Sequence, residues 1–106
     1  MTFAFPKPSF RRLKPKRGKR GEFSRLTREL IYERDEGLCR QCGAPAQEIH
    51  HVRFRSQNGR GVVSNGICVC HRCHRMIHNN PRIASAWQHT FEERYGLGYW
   101  KDQYDE

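Results

Sequence analysis

The sequence predicts a small α+β domain that is stapled by zinc, flanked by helices and preceded by a basic arm. Two C-x2-C pairs, Cys39/Cys42 and Cys70/Cys73, have the spacing of a four-cysteine zinc site. The segment between them has the short apolar runs and turn residues of a β-hairpin, and helical patterns lie on both sides of it. Only 36% of the 106 residues are hydrophobic, so the core is thin and a metal staple is expected.

The first 21 residues are predicted to form a flexible basic arm. Residues 7–20 include eight Lys or Arg residues and no acidic residue, and two prolines and a glycine interrupt regular structure. The chain as a whole carries a net charge of +9, which favours a polyanionic partner such as nucleic acid. We expect Lys14, Lys16 and Arg17 to contact phosphates, the alternative being a solvated tail that aids solubility.

A first helix is predicted from about residue 27 to residue 36. Thr27 is suited to cap its N-terminus, and Gly37 is suited to the left-handed turn that ends it. The apolar side of this helix is predicted to consist of Leu26, Leu30 and Ile31. The helix leads into the first cysteine pair, where Gly43 eases the sharp turn of a zinc knuckle.

The segment between the two cysteine pairs is predicted to be a hairpin with a wide loop. Residues 47–54 have the pattern of a first strand, and the turn-forming residues 56–61 make up the loop. The return is interrupted by Asn65-Gly66 and ends with residues 67–69. The second cysteine pair closes directly after this strand.

Two further helices are predicted, one from about residue 71 to residue 78 and one that begins near Pro81. The apolar face of the last helix is expected to pack in the core and consists of Ile83, Trp87, Phe91 and Tyr95. The chain is thereby divided into a basic arm (1–21), a domain (22–96) and an acidic C-terminal tail (97–106).

The cysteines are predicted to be reduced, in a cytoplasmic protein. No secretory signal precedes them and no apolar run approaches the length of a membrane span, so we expect no membrane partner. A disulfide scaffold is therefore less favoured than a zinc site. Cys68, the fifth cysteine, is interpreted as a small strand residue.

Four histidines have the spacing of metal ligands or of a base. His74 and His78 are four residues apart, so on a helix both imidazoles face the same side and can share a metal ion. His50 and His51 are adjacent on a strand, so they point to opposite faces, and one can join the metal while the other addresses water or substrate. Residues 49–91 contain no Asp or Glu, so imidazole ligands are expected, which suit Zn²⁺, Ni²⁺ or Mn²⁺ better than Mg²⁺.

The order of these motifs resembles that of the HNH endonucleases of the ββα-metal class. The resemblance covers about residues 39–78 and combines two cysteine knuckles, a His-His pair, an asparagine and a spaced histidine pair. It implies a ββα-metal fold and hydrolysis of DNA phosphodiester bonds with a single metal ion. It also implies that His51 is the general base and that Asn65 braces the metal-bearing loop. The implied ligands of the catalytic ion are His50, His74 and His78.

The resemblance also sets the expected partners and cofactors. Arg53 and Arg55 alternate with Val52 and Phe54, so they are predicted to share a strand face with His51. We expect these two residues and Arg60 to contact DNA phosphates, the alternative being solvated charges. The expected metals are a structural Zn²⁺ and a catalytic Mn²⁺, Mg²⁺, Ni²⁺ or Zn²⁺. We expect a monomer or a weak dimer that is associated with a phage or a mobile element, with packaging or restriction proteins as partners.

Two other classes of protein are alternatives. A non-catalytic zinc-ribbon module that binds nucleic acid accounts for the four cysteines and the charge, but it gives the four histidines no role. A zinc-stapled adaptor for other proteins leaves the basic arm unused. Counting metals separates these classes, because a binding module holds one tight zinc whereas a nuclease also binds a second, exchangeable divalent ion.

Overall fold

The computed structural model of the chain describes residues 16–105. Within this range lies a sheet of two antiparallel strands, β1 (Glu48–His51) and β2 (Gly66–Val69). The described α-helices are α1 (Arg17–Gly21), α2 (Arg25–Arg34), α3 (His71–Asn79) and α4 (Pro81–Tyr95). Two 3₁₀ helices, Arg55–Gln57 and Val63–Asn65, lie in the loop between the strands. The predicted α+β class is confirmed, and none of the described helices has the length and apolar character of a membrane span.

Different helices cover the two faces of the sheet. In the register of the strands, His50 lies opposite Ile67. Ile67 is fully buried among residues of α3 and α4, whereas the next residue, Cys68, packs with Ile31 of α2. Because side chains alternate along a strand, His50 faces α3 and His51 faces the side of α2.

Helix α2 begins earlier and is less buried than predicted. Its N-cap is Ser24, whose Oγ accepts a hydrogen bond from the Thr27 amide at 3.1 Å, so the prediction of Thr27 as the cap is wrong. Leu26 and Leu30 are 65% and 42% exposed, and Ile31 is the buried residue of this helix. Of the predicted apolar side, Ile31 alone is therefore buried.

Strand β1 ends at His51, before the end predicted for it. The Arg53 amide donates to Oδ1 of Asn65 at 2.7 Å instead of pairing with β2, and the 3₁₀ helix Arg55–Gln57 follows. The alternation of side chains therefore stops before Arg53 and Arg55, which were predicted to share a strand face with His51.

The two C-terminal helices lie where they were predicted. Pro81 occupies the first turn of α4, and Oδ1 of Asn80 accepts hydrogen bonds from two amides of that turn. On the predicted apolar face of α4, Phe91 is 1% exposed, whereas Tyr95 at the end of the helix is 40% exposed. The core therefore ends one turn before the helix does.

Both ends of the described chain pack against the domain. Residues 17–21, predicted to belong to a flexible arm, form α1, and residues of the predicted acidic tail contact it. The contact is made by Arg20, which pairs with Asp102 and Asp105. Residues 1–15 and Glu106 lie outside the described residues, so the division into arm, domain and tail stays a prediction.

Candidate functional site

The four predicted zinc ligands form one cluster. The Sγ atoms of Cys39, Cys42, Cys70 and Cys73 all lie within 4.8 Å of one another. In each pair, the amide of the second cysteine donates to the Sγ of the first at 3.4 Å. The cluster joins the segment before β1 to the start of α3, so an ion bound here fixes the position of α3 relative to the sheet.

The pKa values of Cys39 and Cys73 show that the four thiols can ionise together only when a cation is bound. Burial by itself raises the pKa of Cys39, but hydrogen bonds from surrounding backbone amides lower it to about 6. Burial and the neighbouring sulfurs raise the pKa of Cys73 to about 12. Four thiolates so close together require a positive charge among them, which Zn²⁺ supplies. Cys68 lies outside this cluster, in the core, where burial raises the pKa of its thiol to about 11.

The three predicted histidine ligands form a second cluster, separate from the cysteines. One ring nitrogen of each of His50, His74 and His78 lies within 4.8 Å of the other two. The Nε2 atoms of His74 and His78, one helical turn apart on α3, are 3.2 Å from each other. Metal–nitrogen bonds of about 2.0–2.1 Å place two ligands of one ion about 3.0–3.4 Å apart. The spacing of these two atoms therefore fits a shared metal ion.

The burial of His50 supports the same interpretation. Its side chain is fully buried, and among the described residues neither ring nitrogen has a hydrogen-bond partner. Burial, together with the neighbouring His74 and His78, lowers the pKa of His50 to about 3, so the imidazole is neutral. A neutral, buried imidazole without a polar partner is costly, and a metal ion on one nitrogen removes most of that cost.

Glu48 contacts the histidine cluster, a contact that the sequence analysis missed. Its two carboxylate oxygens contact Nδ1 of His74 and Nδ1 of His71, and the hydrogen bond with His74 is the main reason that the pKa of Glu48 is lowered. A carboxylate on Nδ1 turns the Nε2 lone pair of His74 toward the cluster. Glu48 lies two positions before His50, which is the spacing of residues on the same face of a strand.

His51 lies on the other face of β1, as predicted. Its Nε2 is 2.6 Å from the backbone oxygen of Gly21, and its ring stacks on Phe23 at a centroid distance of 4.1 Å. A carbonyl oxygen only accepts hydrogen bonds, so Nε2 carries the proton and Nδ1 is left as the basic nitrogen. Burial lowers the pKa of His51, and the hydrogen bond to Gly21 opposes this effect.

Asn65 holds the loop that follows β1. Its side chain is fully buried, and its Oδ1 accepts from the Arg53 amide at 2.7 Å. Its Nδ2 donates to the backbone oxygens of Arg53 and Arg60, at 3.2 and 2.9 Å. These bonds agree with a bracing role and leave the amide group no exposed atom with which to touch a substrate.

His51 and two of the clustered histidines open into the same cleft. This cleft has a volume of about 470 Å³ and is lined by Ile49, His51, Phe54, Arg55, Ser56, His74 and His78. Arg55 at its edge is exposed and donates to the backbone oxygen of Gly18 at 2.9 Å. Arg53 is half-buried and lies over the ring of Trp100, at 4.5 Å from the ring centroid.

Arg60 occupies a different environment from that predicted. Its Nε and its terminal nitrogen donate to the two carboxylate oxygens of Asp105 at 3.0 and 3.1 Å, and its side chain is 9% exposed. The prediction of Arg60 as a DNA contact conflicts with this pairing, because a carboxylate distant in the sequence already neutralises it. Lys16 is exposed, whereas Lys14 and the side chain of Arg17 lie outside the described residues.

Comparison with known proteins defines the class. The model of the HNH endonuclease family matches residues 39–80, a range that contains both cysteine pairs, both strands and α3. This match confirms, over these residues, the resemblance to the HNH endonucleases found in the sequence. The mitochondrial DNA mismatch repair protein mutS homolog of Sarcophyton glaucum is 34% identical over 58 residues, which cover 49% of this chain. The chain spans 6% of that protein's length, so the similarity is local.

Proposed function

We propose that this chain is a metal-dependent DNA endonuclease that hydrolyses phosphodiester bonds, with one catalytic ion and with His51 as the general base. The observation that carries the proposal is the buried His50. Neither of its ring nitrogens has a hydrogen-bond partner among the described residues, and one of them lies within 4.8 Å of a ring nitrogen of His74 and of His78, in a cluster distinct from the four cysteines. A zinc staple alone gives these three imidazoles no function.

The three imidazoles of His50, His74 and His78 would hold the catalytic ion. When bound there, a divalent ion stabilises negative charge on the phosphate and on the leaving oxygen. An all-nitrogen ligand set favours Zn²⁺, Ni²⁺ or Mn²⁺, with Mg²⁺ as the less suited candidate. Glu48 orients His74 in this set and thereby aligns its Nε2 with the other ligand atoms.

His51 would take the proton from the attacking water. Its Nε2–H is donated to the Gly21 carbonyl, so the ring is fixed with Nδ1 as its unprotonated, basic nitrogen. General-base catalysis by a positioned imidazole contributes about 10²–10⁴-fold to the rate. Asn65 acts on the reaction through the loop that it braces and not by contact with the phosphate.

DNA would lie along the cleft, with Arg55 at its edge and the exposed Lys16 in the same part of the chain as α1. Arg53 is a weaker candidate, because its guanidinium already bonds Gln57 and lies over Trp100. Arg60 is not included. Binding by such contacts depends on phosphates and weakens strongly as salt is raised. The expected association with a phage or a mobile element stays a prediction from the sequence.

Cleavage of a supercoiled plasmid tests the proposal. Zinc-loaded protein is assayed with added Mg²⁺, Mn²⁺, Ni²⁺ or Zn²⁺, and we expect activity that depends on the added ion and stops in chelator. His51→Ala should lower the rate about 10²–10⁴-fold and leave zinc content unchanged. His89→Ala is the matched control, since His89 is an exposed residue of α4 that pairs with Glu93.

The contrary results are equally definite. Wild-type cleavage rates in the His51→Ala protein would remove His51 from the mechanism. A stoichiometry of one metal per chain, with no cleavage under any added ion, would favour the non-catalytic zinc-ribbon module.

A further inference from the structure

We infer that Arg20, held by Asp102 and Asp105, is a positioning residue for the general base. It fixes the end of α1, and with it the Gly21 carbonyl that bonds His51. The ends of the described chain, outside the matched range 39–80, thereby complete the site. The inference rests on the proposed role of His51, and it extends that role to residues of the predicted arm and tail.

The first step is the dependence of His51 on α1. The bond from its Nε2 to the Gly21 oxygen, at 2.6 Å, is the contact that selects its tautomer. Gly21 is the last residue of α1. The orientation of the base is therefore only as stable as the position of this helix.

The second step is that α1 cannot hold itself in place. It has five residues, and its N-cap Lys16 makes no side-chain capping bond. Isolated helices far longer than this are marginal in water, because the first turn fixes several residues for a single hydrogen bond. Tertiary contacts must therefore supply the stability of α1.

The third step identifies the main contact. Arg20 donates to both carboxylate oxygens of Asp102 at 2.9 and 2.8 Å and lies 3.0 Å from Asp105, and its side chain is 7% exposed. Asp105 also pairs with Arg60, so two arginines and two carboxylates form one network. The paired arginines hold the pKa of both carboxyl groups below the usual range. Bidentate, largely buried pairs of this kind fix geometry as well as charge.

The backbone oxygen of Arg20 is hydrogen-bonded to the same loop that Asn65 braces. The Gly61 amide donates to the Arg20 oxygen at 2.8 Å. A Cβ atom at Gly61 would lie 1.9 Å from the backbone oxygen of Glu22, so only glycine allows this approach. The side-chain network and this close backbone contact together place Gly21 against His51.

The test replaces Arg20 and follows both the base and the reaction. Arg20→Gln keeps a hydrogen-bonding group but loses the charge and the bidentate pairing. Because a small misplacement of a catalytic group costs up to about a hundredfold in rate, we expect kcat to fall about ten- to a hundredfold with KM little changed. Arg25→Gln is the matched control, since Arg25 is a 94% exposed arginine of α2 that pairs with Glu29.

A second readout does not need activity. ¹⁵N NMR of the imidazoles, in zinc-loaded protein without DNA at one fixed pH, reports which nitrogen of His51 carries the proton. We expect the Nε2–H form in the wild type and in Arg25→Gln, and a mixture of tautomers in Arg20→Gln. If Arg20→Gln does not fold, Asp102→Asn is the milder variant, because it weakens the bidentate pairing of Arg20 while the contact with Asp105 is kept and helps the chain to fold.

The outcomes separate this inference from the proposed function. A pure Nε2–H tautomer and a wild-type kcat in a folded Arg20→Gln protein would overturn the inference. If no protein cleaves DNA but the tautomer of His51 still changes in Arg20→Gln, the positioning contact stands and the proposed endonuclease activity fails.

Discussion

Glu48 links two histidines of α3 to strand β1, and its replacement tests whether the histidine cluster binds metal. We expect Glu48→Gln to weaken the binding of the divalent ion proposed for this cluster and to leave the zinc of the cysteines in place. The carboxylate accepts hydrogen bonds from Nδ1 of His74 and from Nδ1 of His71, whereas a glutamine side chain offers a single acceptor oxygen. His74 then loses the partner that fixes its ring orientation and raises the basicity of its Nε2.

The expected loss of affinity is about tenfold. Partners of metal-bound histidines are typically worth 10–100-fold in affinity. The side chain of Glu48 is 34% exposed, so water can replace part of the lost bond, and His50 and His78 do not depend on it. Both facts favour the lower end of this range, a tenfold loss of affinity, which corresponds to about 1.4 kcal/mol of binding free energy.

Calorimetric titration of zinc-loaded protein with Mn²⁺ or Ni²⁺ measures this loss. His71→Gln is the control, because it removes the other, 54% exposed partner of Glu48 and leaves the bond to His74. An affinity in Glu48→Gln equal to that of the wild type, or an equal loss in both variants, would refute the assignment of Glu48 as the residue that orients a ligand.

Three further predictions concern stability. Cys73→Ser should lower the zinc content and unfold the chain, which circular dichroism measures. The reason is that zinc binding worth about 10–16 kcal/mol matches or exceeds the stability of a small domain. The control Cys68→Ala should keep its full zinc content. Asn65→Ala removes the partners of three buried or partly buried backbone groups, so we expect a loss of about 3 kcal/mol and a fall of about 12–24 °C in the thermal midpoint. An unchanged midpoint would mean that water replaces these bonds. Because pairing with Arg20 or Arg60 lowers the pKa of Asp102 and Asp105 in the folded state, their stabilising effect is full above about pH 4 and is lost as the pH falls through the lowered values. The difference in unfolding free energy between wild type and Asp105→Asn should therefore shrink in acid, and a constant difference would contradict the ion-pair interpretation.

The pairs of residues that make up the metal clusters were predictable because their spacing is local, whereas the joining of His50 to the pair His74 and His78 followed from the family resemblance. Two residues between cysteines, or one helical turn between His74 and His78, fix which side chains can reach a common point whatever the rest of the fold does. The opposite orientation of His50 and His51 follows from strand alternation in the same way. These are the parts of the site that depend on spacing alone.

The residues that the sequence analysis missed or placed in another environment depend on contacts that the fold creates between distant parts of the sequence. Arg60 has the same charge as a DNA-binding arginine, and only the fold places it beside Asp105. Glu48 lies one residue before the acid-free stretch 49–91. Its spacing from His50 is visible in the sequence, but the fold is what places it beside His74. The exposure of Leu26 and Leu30 likewise depends on which side of α2 faces the sheet, and the fold places the side of Ile31 there.

The two halves of the proposed site are held in place by different contacts. The proposed site therefore extends beyond the region that matches the family model. The metal-binding half lies between β1 and α3, whose relative position the cysteine cluster fixes, and all of its residues fall within 39–80. The base lies on the opposite face of β1, where its hydrogen-bond partner comes from α1 and depends on carboxylates near the C-terminus. Removing zinc should therefore disrupt both halves, whereas neutralising the network around Arg20 should disturb the base and leave metal affinity intact. A variant of Arg20 that lost the metal along with the tautomer of His51 would show that the two halves are one cooperative unit.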